Sequence, residues 1–228
     1  MERTISITPL QCKKTGAKEL KKYDSVYLGS EFCENKLPSA DDVISLAEIF
    51  KGKIIPVIPY LSDTGAERAR QLFDSLPAGM VSEAVVNDWS MLDFLKKKHK
   101  KISPILGRLL IWEISSMNKP FLKAFCARYG IKSVEVDNPL VLANLKGYDG
   151  KINFNYPLQF KSTTRFCPYM KRFNSERCGQ PCEKTGLIKL KNKKVFPLEL
   201  LMFSNAYFII NKPLKDPRIS RLVETKIG

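Results

Sequence analysis

Histidine is nearly absent from this sequence: it occurs once in 228 residues. Mechanisms that need several imidazole groups are therefore excluded. The single His99 lies within the lysine run Lys96–Lys101, whose ammonium groups disfavour a charged imidazolium. Cations suit the last turn of a helix, so the run indicates a solvated helix end. A hydrolase centre of the Ser-His-Asp or Cys-His type is not expected.

Long uncharged runs are also missing. No stretch approaches the ~18 apolar residues that a membrane span needs, and the N-terminus lacks the apolar core of a secretory signal. We therefore expect a cytoplasmic protein without a membrane span, whose cysteines are thiols or metal ligands rather than disulfides. The phosphate loops GxGxxG and GxxxxGK[ST] are absent, which disfavours nucleotide enzymes of those types. With 44% hydrophobic residues, the chain can bury a sizeable core.

Short apolar segments alternate with helical patterns over the first two thirds of the chain. This alternation predicts a parallel sheet, and the number of units favours an α/β fold of the TIM-barrel type over an open sheet. The predicted strands are Thr4–Pro9, Asp24–Gly29, Lys53–Ile58, Val81–Val86, Ile102–Leu106, Ile131–Val136 and Lys151–Tyr156. Helix starts are predicted at Ser39, Ser62 or Asp63, Asp88 and Pro139, and a helix end at Gly130. Residues 1–228 are expected to form one barrel-like domain.

The pattern changes after Tyr156. The segment 161–186 has no apolar period and carries three of the six cysteines. Two further strands, Leu187–Leu201 and Ala206–Asn211, are predicted beyond it, with a hairpin turn at Lys191–Lys193. From Lys161 onward there are 15 Lys+Arg and 5 Asp+Glu, so +10 of the net charge of +15 lies in this last part.

The cysteines of this segment are Cys167, Cys178 and Cys182, spaced as C-x10-C-x3-C, and their clustering indicates a metal site. A fourth ligand has to come from Cys12, Cys33, Cys126 or a carboxylate. Cys33 is the best candidate because it follows a predicted strand, and loops after parallel barrel strands share one face. Cys126 lies within a predicted helix and is expected to be a small buried hydrophobe. The spacing leaves a [4Fe–4S] cluster, a zinc ion and free thiols open.

Two segments carry a resemblance to a known family. VYLGSEFCENKL at Val26–Leu37 and TTRFCPYMKRFNSERCGQPC at Thr163–Cys182 resemble the cysteine-bearing segments of the UbiV-like branch of the collagenase-like peptidase family of unknown catalytic type, number thirty-two. VVNDWSMLDFL at Val85–Leu95 and ILGRLL at Ile105–Leu110 are also similar. The chain is shorter than these relatives, which leaves open an incomplete barrel or one that a partner closes.

The resemblance implies a TIM-barrel-like fold with one [4Fe–4S] cluster, whose ligands would be Cys33, Cys167, Cys178 and Cys182. It implies oxygen-independent hydroxylation, which in different branches acts on ubiquinone precursors, transfer RNA or ribosomal RNA. A small anionic substrate, prephenate, is implied as the oxygen source, and a UbiU-like subunit as heterodimer partner. Some members carry protease annotations, but no base-plus-nucleophile pair is visible here. A binding module without enzymatic activity, stabilised by a structural zinc ion, is a further alternative.

Four other residues are candidates for substrate binding. Asn87 and Trp89 follow a predicted strand, although Asp88 between them is expected to act as a helix cap. Arg108 follows another strand and could bind a carboxylate or phosphate in bidentate fashion, or be an ordinary surface arginine. Arg165 precedes Cys167 by two residues and could offset the charge of a cluster or simply be solvated.

The basic surplus makes RNA a possible partner. The sequence pI is near 9.5, and aromatic and basic residues are interleaved as in a surface that stacks single-stranded nucleic acid. Those residues are Arg165, Phe166, Tyr169, Lys171, Arg172 and Phe173. A positive field suits small anionic substrates as well, so charge alone does not decide between these partners.

Overall fold

Parallel strands wound into a barrel form the centre of this computed structural model, which describes residues 1–173, 178–191 and 199–227. The first strands are β1 (Glu2–Ile7), β2 (Ser25–Gly29), β3 (Lys53–Ile58), β4 (Glu83–Val86), β5 (Ser103–Leu106), β6 (Ser133–Val136) and β7 (Lys151–Tyr156). Each pairs in parallel with the strand before it in the sequence. All seven strands expected from the sequence are therefore present, with small shifts at their ends.

Helices cover the outside of the barrel. They are α1 (Pro9–Cys12), α2 (Ala17–Leu20), α3 (Ala40–Ile49), α4 (Asp63–Ser75), α5 (Trp89–Lys98), α6 (Arg108–Ile114), α7 (Lys119–Tyr129), α8 (Pro139–Asn144) and α9 (Pro181–Thr185), with a 3₁₀ turn at Glu34–Lys36. A large apolar cluster lies between these helices and the strands. No helix in the described ranges is long and apolar enough to cross a membrane.

The helix boundaries follow from local capping chemistry. Ser39 and Asp42 form a reciprocal capping box at the start of α3, and Asp88 accepts hydrogen bonds from the backbone of the first turn of α5. Gly130 ends α7 in the left-handed conformation, φ 67°, which glycine adopts without steric cost. These sequence predictions are confirmed.

A small antiparallel sheet follows the barrel strands. It has the order β11 (Ile188–Leu190), β12 (Leu200–Phe203), β13 (Ala206–Ile210) and β8 (Leu158–Thr163), while β9 (Phe166–Cys167) pairs with β10 (Arg172–Phe173). The expected late strands are present as β11 and β13, whereas β12 overlaps the predicted strand Leu187–Leu201 only at Leu200 and Leu201. Residues 192 and 193 of the predicted turn, and the chain up to residue 198, lie outside the described part.

A strand near the end of the chain closes the barrel. This strand, β14 (Ile219–Thr225), pairs in parallel with β1 on one side and β7 on the other. In the described residues the barrel consequently has eight parallel strands and no open edge. The expectation of an incomplete barrel is wrong, because this chain supplies its own eighth strand.

The interior of the barrel holds an apolar group and, in contact with it, a set of charged side chains. The apolar group consists of Tyr27, Ile55, Val57, Val85, Ile105 and Val223. Among the charged side chains, Arg221 reaches from β14 to carboxylates on two other strands, Glu2 Oε2 at 3.0 Å and Glu83 Oε2 at 2.9 Å. Its guanidinium also donates to the Tyr27 hydroxyl, 2.9 Å away. Arg221 therefore ties the closing strand to β1, β2 and β4.

Replacing Arg221 by methionine should destabilise the barrel more than the loss of a surface ion pair. The change removes the nearest cation of Glu2 and of Glu83 and leaves, among the described residues, only Lys53, 4.0 Å from Glu83, so we expect a loss of about 3 kcal/mol in the free energy of unfolding by urea. The control is Arg218→Met on the same end of the chain, where Asp216 is the partner and the arginine side chain is 38% exposed. That exposed pair should contribute about 1 kcal/mol or less. Equal losses in the two variants would contradict the role of Arg221.

Candidate metal and substrate site at the carboxyl end of the barrel

The loops after the barrel strands meet at one face, and most of the residues predicted to be functional lie there. Cys33 follows β2, Asn87 follows β4, Arg108 follows β5 and Asp137 follows β6. Because parallel strands all point the same way, their carboxyl ends must share a face. The antiparallel sheet is joined to this face through Phe32, whose ring stacks on Phe160 at a centroid distance of 5.0 Å.

Three of the four predicted metal ligands interact with one another. Cys33 and Cys167 are half-buried and Cys182 is buried. Burial is the largest influence on the pKa of the Cys33 thiol and raises it, and the nearby Cys182 acts in the same direction. The pKa of Cys182 is likewise raised, mainly by burial and further by Cys167. Cys182 therefore lies within electrostatic range of both Cys33 and Cys167.

The thiols nevertheless do not form a ready-made ligand set. Among residues 1–173, 178–191 and 199–227, no group of three or more histidine, cysteine, aspartate or glutamate side chains is arranged to hold a metal ion. Cys178, the fourth predicted ligand, is half-buried at the start of the segment that leads into α9. The donor set is chemically suited to a cluster or to zinc, since both prefer thiolates.

A buried cation lies beside these thiols. The Lys36 side chain is 1% exposed, and its Nζ is 2.6 Å from Glu183 Oε1, whose side chain is 3% exposed. The same ammonium lies 4.2 Å from the centre of the Phe203 ring. It also lies close enough to Cys182 to lower the pKa of that thiol, against the larger effect of burial, which raises it. Lysine is almost never fully buried without a partner, so this position has a specific electrostatic role.

The Lys36–Glu183 pair joins two distant parts of the chain. Lys36 ends the 3₁₀ turn that begins directly after Cys33, and Glu183 lies in α9 next to Cys182. A second link is the hydrogen bond from Gln180 Nε2 to the backbone carbonyl of Asn35, 2.9 Å long. These contacts hold the cysteine-bearing segment against the loop that carries Cys33.

Arg108 is buried in an ion network at the same face. Its Nε is 2.6 Å from Glu31 Oε1, and its Nη1 is 3.0 Å from Asp137 Oδ2. Burial by itself lowers the pKa of Arg108, but the two carboxylates outweigh it and hold the pKa above its ordinary value. The Arg108 guanidinium, which the sequence suggested could bind an anion in bidentate fashion, thus pairs with two of the protein's own carboxylates. Binding of a substrate by this residue stays a prediction.

Asn87 and Trp89 serve visible packing roles. The Asn87 amide donates to the carbonyl of Ile58 at 3.2 Å and accepts from the backbone of Leu109 at 3.0 Å, so it joins β3 to α6. A Cβ at Gly107 would overlap the Asn87 side chain, which explains the glycine. Trp89 is 44% exposed and meets Phe125 of α7 edge to face at 5.5 Å. Neither observation tests substrate binding.

Arg165 and the aromatic residues near it form an exposed surface beside the cysteine segment. The guanidinium lies 4.6 Å from the centre of the Tyr60 ring, and Phe166 meets Phe173 at 5.6 Å. Phe173 is 71% exposed. Tyr169 instead points inward and donates to the carbonyls of Gly186 and Met202. Five of the six residues in the predicted stacking surface are therefore exposed, the exception being Tyr169, and RNA binding stays a prediction.

A recess at the mouth of the barrel was not anticipated from the sequence. Its volume is about 40 Å³, and its lining includes Ser6, Tyr27, Glu31, Arg108, Phe208 and Thr225. Tyr27 links the recess to Glu135 deep in the barrel, because its hydroxyl donates to Glu135 Oε1 at 2.6 Å. Burial dominates the pKa of Glu135 and raises it, while donors from Tyr27, Asn153 and Asn155 oppose that effect. The only sequence feature that could have indicated this recess is the alternation of polar and apolar residues within the strands.

Comparisons with known proteins add little to this description. No protein-family model and no curated protein matches the chain. Among solved structures, a glycoside hydrolase family 18 N-acetylglucosaminidase from Paenibacillus barengoltzii is similar over 98% of this chain and 94% of that chain, with a TM-score of 0.40 and 8% sequence identity. A likeness this distant supports no statement about substrate or reaction.

Replacing Glu31 by glutamine should destabilise the protein because Arg108 loses one of its two buried counter-charges. We expect a decrease of about 3 kcal/mol in the free energy of unfolding, measured by urea denaturation. The matched control is Glu113→Gln, an exposed residue of α6, which should stay within ~0.5 kcal/mol of the original protein. Identical unfolding midpoints for the two variants would show that the Glu31–Arg108 contact carries no stability.

Proposed function

We propose that this chain is an iron–sulfur protein of the UbiV-like type, which binds a [4Fe–4S] cluster through Cys33, Cys167, Cys178 and Cys182. In this proposal it supports the oxygen-independent hydroxylation of a small aromatic or quinone-precursor substrate, together with a UbiU-like partner subunit. A cytoplasmic location fits the thiol chemistry that the proposal requires. Zinc on the same four thiols is the alternative.

The observation that carries the proposal is the convergence of distant thiols beside a buried cation. Cys33 and Cys182 come from distant parts of the chain, and the Lys36–Glu183 pair holds their segments together. A cluster on four thiolates is anionic, and a buried ammonium stabilises negative charge in a medium of low dielectric constant.

The ligands would have to be drawn together on binding. Metal binding and the ordering of its ligands are coupled, so the absence of a ready-made set is compatible with the proposal. Binding also requires loss of the thiol protons. Burial raises the pKa of Cys33 and of Cys182 and opposes that loss, while Ser204 near Cys33 and Lys36 near Cys182 act in the opposite direction.

When bound, a cluster with four thiolate ligands would supply electron transfer or structural support, because it leaves no iron open for substrate. The protein's own residues would shape the place for the substrate. The recess lined by Tyr27 has a volume of only about 40 Å³, so it would have to widen to admit an organic substrate, and Glu31 holds the Arg108 guanidinium at its edge. Prephenate as oxygen source rests on the family resemblance alone.

Anaerobic purification followed by iron and sulfide analysis tests the proposal. The protein should be brown and contain about four irons and four sulfides per chain, the content of one cubane cluster. Cys178→Ala should lose most of this iron. Cys126→Ala should retain it, because Cys126 is buried in α7 away from the proposed ligands.

Three other outcomes would each contradict a part of the proposal. A colourless protein that contains zinc would replace the cluster by a structural zinc site. A protein free of both metals would remove the metal function altogether. Full iron content in a Cys33→Ala variant would refute the fourth ligand while keeping the cluster.

A further inference from the structure

A large cleft lies at the opposite end of the barrel from the cysteines. It is formed between α7 and the segment that runs from the end of α8 into β7, and its volume is about 830 Å³. Lys132 immediately precedes β6 and Lys151 is the first residue of β7, which places the cleft at the amino ends of the strands. Cys33 and Arg108 follow strands, so the cleft is separate from the candidate metal and substrate site.

The floor of the cleft is apolar. Leu122, Cys126 and Ile131 form it and are only 5–7% exposed. The half-buried Tyr148 closes one side, with its hydroxyl packed against Gly150, where a Cβ would overlap it. The floor therefore offers a surface against which a flat apolar group can lie.

The rim of the cleft is strongly basic. It carries Lys119, Lys123, Lys132, Lys146 and Lys151, whereas Asp149 is the single acidic residue of the lining. Within the part of the chain that the structure describes, none of these five lysines makes an ion pair. The Lys119 ammonium lies 3.4 Å from the point that a Cβ would occupy at Gly147, so this side chain extends over the edge of the cleft. Uncompensated like charges around one cleft repel each other, and an anionic ligand would relieve that repulsion.

We propose that this cleft binds a phosphorylated small molecule with a flat apolar body. The two parts of such a ligand match the two parts of the lining: lysines bind phosphate as point charges, and the apolar floor accepts the ring. A cleft of about 830 Å³ is within the range of sites for small organic ligands. Single-stranded RNA is the less suitable occupant, because it requires a row of exposed aromatic rings, and Tyr148 is the one aromatic residue of the lining.

Titration with 1-naphthyl phosphate, followed by its fluorescence, tests the site. This compound carries both a phosphate and an apolar ring, whereas inorganic phosphate and 1-naphthol carry one part each. We expect 1-naphthyl phosphate to bind at least about tenfold more tightly than either fragment, equivalent to ~1.4 kcal/mol or more. Equal affinity for inorganic phosphate and 1-naphthyl phosphate would overturn the proposal, since the apolar floor would then play no part.

A pair of charge-matched variants locates the binding. Lys123→Glu/Lys146→Glu reverses two rim charges and should weaken binding of 1-naphthyl phosphate at least about tenfold. Lys21→Glu/Lys22→Glu reverses two exposed lysines that follow α2, away from the cleft, and should leave the Kd within about twofold. Circular dichroism and thermal unfolding confirm that both variants fold.

Two results of that comparison would overturn the proposal. Equal losses in the two variants would show a general effect of net charge rather than a site. Failure of 1-naphthyl phosphate to bind, combined with binding of a single-stranded RNA oligonucleotide that depends on Lys123 and Lys146, would assign this face to nucleic acid. Neither outcome depends on the metal content of the protein.

Discussion

Closure of the barrel by β14 is the constraint on which the rest of the structure depends. This strand hydrogen-bonds to β1 and β7 at once, and so fixes the ends of the chain against each other. Because the closed strands are parallel, all their carboxyl ends lie on one face of the barrel. The loops that follow them are therefore close together although they are far apart in sequence. The cysteine loop after β2 and the arginine after β5 share a face for this reason alone.

Buried charges then stabilise the two ends of the closed barrel in the same way. Arg221 meets carboxylates of β1 and β4 near the amino end, and Arg108 meets Glu31 and Asp137 at the carboxyl end. Lys36 and Glu183 form a third buried pair where the cysteine segment docks. Each pair joins residues distant in sequence, so each stabilises tertiary structure rather than a single helix or strand. Removing one partner leaves a buried charge alone, which is why such pairs are costly to break.

Much of the fold could be predicted from local pattern. The seven early strands are apolar runs, and the caps at Ser39, Asp88 and Gly130 depend on residues within one turn. The closing strand was missed because its inward side chains include Arg221 and Thr225, so its sequence, ISRLVET, does not resemble a buried parallel strand. Its polarity is explained only by partners on other strands.

The candidate site was predictable in part for the same reason. The choice of Cys33 as the fourth predicted ligand followed from the rule that loops after parallel strands share a face. The sequence left open whether Arg108 binds an anion or is an ordinary arginine, and it did not indicate that Glu31 and Asp137 would pair with it. The sequence did not indicate that Lys36 is buried, because a lysine in the segment ENKL resembles any surface lysine. Its burial depends on Glu183 and Phe203, which are distant in the sequence. Long-range pairing of this kind is not encoded in local periodicity.

The central claim is that Lys36 supplies the charge that an anionic cluster on the neighbouring thiols needs. Anaerobic reconstitution of Lys36→Met, with Lys184→Met as a control for an exposed lysine of the same helix as Glu183, tests it most directly. Loss of the buried cation should lower both the retained iron and the reduction potential, because the more negative reduced state loses its nearest positive charge. The control should match the original protein in both quantities. Iron content and reduction potential unchanged in Lys36→Met, or no iron in the original protein, would contradict the account.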